Sequence, residues 1–198
     1  MSDAAVAQME EHPTSTGLNS RKLVFWTFLG SECLFFGSLI STYLVYRGRS
    51  LSGPTPHQIL NIPFTSVSAF VLLMSSLTMV LALAAIQRGN VGKFRLWILA
   101  TALLGCCFIG GQVFEFTSFV REGLTLQTNL FGASFFVLTG FHGAHVTGGV
   151  IWLLSLFFAS FTGRIQQENS LDVEIAGLYW HFVDVVWIAL FTTIYLIQ

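Results

Sequence analysis

The chain has 198 residues, 54% of them hydrophobic and 10% charged, and 20 are Phe. A water-soluble domain carries roughly 25% charged residues, so a fully solvated surface is excluded and lipid is the implied solvent. The net charge of −1 gives no electrostatic reason to expect a nucleic-acid or polybasic partner.

Met1 to Ser20 is polar, contains Glu10, Glu11 and Pro13, and has no apolar core before Leu23. No secretory signal is expected there, and the first membrane span would serve as its own anchor. A bilayer core about 30 Å thick takes roughly 20 helical residues. Five such stretches follow: Leu23 to Tyr46, Phe64 to Gln87, Leu96 to Phe119, Leu130 to Thr162 and Ile175 to Gln198. The fourth exceeds one crossing and is expected to tilt or to continue beyond the lipid. Gly53, Pro54, Pro56 and Pro63 break the first connection, and Gly89, Asn90 and Gly92 break the second. With no inverted repeat and no extramembrane domain, the expected fold is all-α: one five-helix transmembrane bundle over residues 21–198 behind a polar tail, residues 1–20. Cys33, Cys106 and Cys107 lie within apolar stretches and read as small buried residues.

Positive charge orients the bundle. Arg21, Lys22, Arg88, Lys93, Arg95 and Arg164 collect on the N-terminal side, against Arg47, Arg49 and Arg121 opposite. The expectation is a cytoplasmic N-terminus and an outer C-terminus.

A charge near the centre of a spanning helix costs about 2.5–3.5 kcal/mol on insertion scales, so Glu32, Glu115 and Asp184 each need a reason to be there. At a rise of about 1.5 Å per residue, Glu32 and Asp184 lie roughly 14 Å from the inner ends of their spans. His181 lies a turn closer to the cytoplasm, and counting from Leu130 puts His142 and His145 in the inner half of the membrane, roughly 8 to 12 Å above its inner boundary. Glu115, with Gln112 a turn before it, is expected near the outer interface. Gly140, Ala144 and Gly148 form a small-residue stripe that permits close helix approach, while His142, His145 and Gly149 lie on a different face. Two specialised faces suit a central helix. On the fifth span Gly177, Trp180, His181, Asp184, Ile188, Phe191 and Tyr195 share a face, as do Phe25, Phe28, Glu32, Phe36, Leu39 and Tyr43 on the first.

Three readings of the intramembrane group Glu32, His142, His145, His181 and Asp184 stay open: packing through mutual hydrogen bonds, a haem or metal site on the paired histidines, and a proton or ion path through the acids. Packing leads, because two histidines with no further ligand set are a weak metal signal. Nucleophilic catalysis and phosphate-loop chemistry have no supporting motif.

Tyr179 Trp180 His181 Phe182 Val183 Asp184 Val185 Val186 Trp187 resembles the signature of subunit III of haem-copper terminal oxidases. Three more segments support the resemblance in the right order: Gly30 Ser31 Glu32, Gln112 to Phe116, and Phe135 to Val146 with its paired histidines. The likeness covers essentially everything after residue 20. It implies a subunit with no catalytic residue, haem, copper or other metal of its own, the redox centres being in subunits I and II. The implied role is to stabilise subunit I, hold structural phospholipid and support proton uptake, in an enzyme that oxidises cytochrome c or a quinol, reduces dioxygen and pumps protons. Subunit I would be the main contact, with subunit II and a small subunit IV as further partners and a respiratory supercomplex left open. Candidate lipid-headgroup contacts are Arg164 and Glu174, with Glu32 a lipid candidate inside. Many family members have seven spans; this chain resembles the five-span bacterial form, so lipid contacts that need the extra pair do not carry over.

The implied location is the bacterial cytoplasmic membrane, multi-pass, and the expected enzyme is a cytochrome c oxidase, with a quinol oxidase as runner-up. A nitric oxide reductase accessory subunit, a stand-alone proton-coupled transporter and a membrane cytochrome using His142 and His145 remain as rivals. Two geometric expectations accompany this reading. Glu32 hydrogen-bonds across the bundle to a histidine of the fourth span, His145 ahead of His142, and His181 and Asp184 orient helix packing without conducting protons.

Overall fold

A computed structural model describes residues 20–47 and 61–197. Its long elements are α1 (Ser20–Tyr46), α2 (Ile62–Gln87), α3 (Val91–Arg121), α4 (Leu130–Phe161) and α5 (Ser170–Phe191). A short 3-10 turn, Gln167–Asn169, leads into α5, and a π-helical turn, Thr192–Leu196, follows it. All five long elements are apolar over enough residues to cross a membrane.

Local chemistry explains several helix ends. The side chains of Asn61, Asn90 and Asn129 accept the amide hydrogens of Phe64, Lys93 and Gly132, capping α2, α3 and α4. Pro63 sits in the first turn of α2, where a missing N–H costs nothing. Beyond α2, Gly89 takes φ 71°, which ends that helix in the left-handed region. The helices outrun the apolar stretches that announce them: α3 begins at Val91, before the expected Leu96, and α5 at Ser170, before the expected Ile175. Lys93, Arg95, Asp172 and Glu174 lower the hydropathy of those first turns without breaking the helix. At 32 residues α4 is about 48 Å long, longer than one perpendicular crossing needs.

Helices α2 and α3 form an antiparallel hairpin. Helix α4 packs on α3, α1 and α5, and α5 packs on α2, α4 and α1. The C-terminal element is the most buried span, with half of its most apolar window inside, whereas the corresponding window of α1 is 11% buried. Ion pairs from Arg21 to Asp172 and Lys22 to Glu174, both 2.6 Å, join the starts of α1 and α5. Arg95 near the start of α3 donates to the Ser160 carbonyl near the end of α4 at 2.7 Å. Arg21, Lys22, Arg88, Lys93, Arg95 and Arg164 therefore lie at one end of the bundle; Arg49, Gly53, Pro54, Pro56 and the tail through residue 19 fall outside the described residues.

Two expectations are corrected here. The cysteines are exposed on the outer surface and are not core residues; hydrocarbon solvates an apolar thiol as well as a protein interior does. Among the described residues the Gly140, Ala144, Gly148 stripe accommodates no close helix: Ala144 and Gly148 are exposed, and a β-carbon built on Gly140 meets nothing within 4 Å. Close approach occurs at Gly143, where a β-carbon would lie 2.6 Å from Gln112 Oε1, and at Gly149, where it would lie 2.8 Å from Trp180. The 3.6-residue period identifies a stripe but not the neighbour it faces.

Candidate functional site

Polar side chains inside the bundle fall into separate groups, each bridging helices. Between α1 and α4, His145 Nε2 lies 3.2 Å from Glu32 Oε2, while His145 Nδ1 lies 2.7 Å from the Phe141 carbonyl one turn back. Tyr179 of α5 donates its hydroxyl to the His145 carbonyl at 3.1 Å, so three helices meet at this point. The ring of Phe36 packs edge-on to that of His145 with centroids 5.0 Å apart.

Between α2 and α5, Ser76 donates to Asp184 Oδ2 at 2.6 Å, and His181 Nδ1 lies 3.3 Å from the same hydroxyl oxygen. A turn away, the Trp180 indole N–H donates to Ser75 Oγ at 2.9 Å. His181 also lines a cavity of about 180 Å3 with Met79, Glu174 and Gly177.

His142 belongs to neither group. Its ring is fully buried, stacks on Trp187 with centroids 4.9 Å apart, and meets Phe108 edge-on. Neither of its ring nitrogens has a hydrogen-bond partner among the described residues. The five residues grouped from sequence thus resolve into a Glu32–His145 pair, an Asp184–Ser76–His181 group and a lone aromatic-stacked His142.

Glu115 and Gln112, expected near the outer interface, lie toward the C-terminal end of α3, with their side chains turned into the bundle. Glu115 Oε1 accepts from Thr65 of α2 at 2.6 Å and from Tyr195 of the π-helical turn at 3.0 Å. Gln112 Nε2 donates to the Thr139 carbonyl of α4 at 2.8 Å. Thr65 near the start of α2 and Tyr195 of the C-terminal turn cover that flank of α3. Glu174, a candidate for lipid contact, is held by Lys22 at 2.6 Å; Arg164 is exposed beyond the end of α4, and its carbonyl accepts from Asn169.

Sequence reasoning missed Thr65, Ser75 and Ser76, and it named Tyr179 and Tyr195 without their hydrogen bonds. No signal separates these hydroxyls beforehand, because most Ser and Thr in spanning helices bond their own i−3 or i−4 carbonyl, as Ser31, Ser38, Ser41 and Thr42 do here. Among the described residues, no three of the His, Cys, Asp and Glu side chains come together as metal ligands. The recurrent arrangement is an acid or amide on one helix bonded to a hydroxyl, imidazole or carbonyl on another, a chemistry of helix fastening.

These features define a membrane-spanning helical bundle whose intramembrane polar groups bind its own helices to one another. Residues 4–198 match the family model described as cytochrome c oxidase subunit III. The chain is 37% identical to cytochrome c oxidase subunit 3 of Bacillus sp. (strain PS3) over 190 residues, 96% of this chain and 91% of that protein. It is 38% identical to quinol oxidase subunit 3 of Bacillus subtilis (strain 168) over 187 residues, 94% and 91% of the two chains. It is also 35% identical to the cytochrome bo(3) ubiquinol oxidase subunit 3 of Pseudomonas aeruginosa over 191 residues, 96% and 91%. The chain belongs to the cytochrome c oxidase subunit III family, the membrane subunit III of respiratory haem-copper oxidases.

Proposed function

We propose that the chain is a non-redox accessory subunit of a proton-pumping cytochrome c oxidase, packing beside subunit I and also meeting subunit II and a small subunit IV. It stabilises subunit I, retains phospholipid and supports proton uptake, while haem and copper belong to its partners. The observation that carries this reading is how the intramembrane acids are used: Glu32, Glu115 and Asp184 are each hydrogen-bonded to a helix other than their own. The paired histidines are likewise divided, His145 facing Glu32 and His142 stacked on Trp187, so they do not converge on one ligand.

The six cations at the Arg21 end support a cytoplasmic N-terminus with a polar tail over residues 1–20, an outer C-terminus and a bacterial cytoplasmic-membrane location. Arg164 is exposed at that end and suits a lipid phosphate; Glu174 would contribute beside Lys22. A quinol oxidase is the second reading, favoured by the 38% identity to a quinol oxidase subunit 3.

Purification of the membrane complex in mild detergent tests the proposal. Subunits I, II and IV should co-purify, and the donor that supports oxygen consumption, reduced cytochrome c or quinol, separates the two readings. The chain alone should show no Soret band and no proton-coupled transport in liposomes; either activity would overturn the accessory role.

A further inference from the structure

We propose that the cavity between α2 and α5 is a water-binding chamber that brings the aqueous phase from the Lys22–Glu174 ion pair up to the His181 imidazole. The inference goes beyond the accessory role and does not depend on which donor the oxidase uses.

The walls suit water. Met79 and Leu83 of α2 and Glu174, Gly177, Leu178 and His181 of α5 line about 180 Å3. A water molecule's share of the liquid is about 30 Å3, so several fit. Glu174 and His181 are seven residues apart on one helix, about 10 Å of rise, which puts a polar group at each end and an apolar floor between them. Gly177 keeps that floor open, because a β-carbon there would lie 3.3 Å from Met79 Cε. The Lys22 and Glu174 side chains are 29% and 32% exposed, so the lower end has an entrance.

Hydrogen-bond accounting selects the occupant. Ser76 has one hydroxyl hydrogen, given to Asp184 Oδ2 at 2.6 Å, so its oxygen accepts from His181 Nδ1 at 3.3 Å. That leaves His181 Nε2, on the other side of the ring, without a bond among the described residues. Glu174 is bonded to Lys22 through Oε1, which leaves its second oxygen to the chamber. Water both donates and accepts, and therefore serves either atom. A lipid chain in the same space would strand both polar groups, at about 1–3 kcal/mol each. A cavity walled only by apolar groups stays dry; one with polar groups at both ends holds water. Beyond the imidazole the polar line continues through Ser76 to Asp184, whose Oδ1 is buried with no partner among the described residues.

Water-edited solid-state NMR tests the proposal on the purified membrane complex in lipid nanodiscs, with 15N in the histidine rings. Magnetisation that starts on water should reach the His181 ring several-fold sooner than that of His142, which is sealed between Phe108 and Trp187 and serves as the dry reference. Subtracting the spectrum of His181→Gln assigns the signal. Equally slow transfer to both rings would overturn the chamber. Leu178→Phe fills the space from its wall, so His181 should lose most of that transfer while the His142 signal, a report on the intact bundle, stays as in the parent. Undiminished transfer to His181 in that variant would show that water arrives by another route. Independently of any variant, a cryo-EM map of the parent complex that resolves waters should show one within hydrogen-bond distance of His181 Nε2 and another on the Glu174 carboxylate. An acyl or detergent chain in the chamber would refute water as its occupant.

Discussion

The Trp180 indole lies directly over Gly149: a β-carbon built on that glycine falls 2.8 Å from Trp180 Cζ3 and 2.9 Å from Cε3. Gly105 presses on the ring from α3, where a β-carbon would sit 2.7 Å from Cη2. The ring has little freedom to yield, because its N–H is bonded to Ser75. Gly149→Ala and Gly105→Ala should each destabilise the bundle by about 1–2 kcal/mol, overpacking exceeding the gain in helix propensity. Gly140→Ala, with nothing in reach, should be neutral or stabilising by up to about 1 kcal/mol within the chain. Denaturant unfolding in detergent micelles compares the three.

The Glu115 junction predicts a graded series. Glu115→Gln keeps an oxygen able to accept from both Thr65 and Tyr195, so stability should change by less than about 0.5 kcal/mol. Glu115→Leu leaves the Tyr195 hydroxyl without its partner and should cost about 1–3 kcal/mol. Tyr195→Phe combined with Glu115→Leu should recover part of that loss, which a double-mutant cycle measures directly.

Arg95 donates through Nε to Ser160 Oγ at 3.0 Å and through Nη2 to the Ser160 carbonyl at 2.7 Å, with its guanidinium 4.2 Å from the centre of the Phe161 ring. A lysine reproduces a single donor and cannot match the fork. Arg95→Lys should therefore lose about 1 kcal/mol and Arg95→Ala about 2 kcal/mol, read as lowered thermal stability of the complex.

Asp184→Asn keeps an oxygen for Ser76 and should leave assembly intact. On the packing reading, proton translocation per electron should equal that of the parent enzyme. An assembled Asp184→Asn complex that turns over without pumping would assign Asp184 to proton transfer instead.

The helices were legible because hydropathy over about 20 residues is a strong signal and lipid leaves the backbone few alternatives. Their first turns were less so, since Asp172 and Glu174 depress local hydropathy while ion pairing with Arg21 and Lys22, residues that no local window contains. Depth arithmetic brought Glu32 and His145 to similar levels in the membrane, and they meet. It could not separate His142 from His145: three positions apart on one helix, they point to different neighbours, and only tertiary packing decides which finds an acid and which an indole. Family motifs located the acids but not Ser76, Thr65 or Tyr195, whose bonds depend on helix rotation.

The thin attachment of α1 has a consequence for synthesis. Its polar partners come late: His145 lies 113 residues after Glu32, Asp172 lies 151 after Arg21, and Glu174 lies 152 after Lys22. At about 5–20 residues per second, a ribosome needs about 6–23 seconds to make the imidazole that Glu32 requires. Throughout that interval the first helix holds an uncompensated acid at a level where insertion is costly. Its final position is thus secured only after the last two helices have emerged, and a chain truncated before α4 would leave α1 without its carboxyl partner.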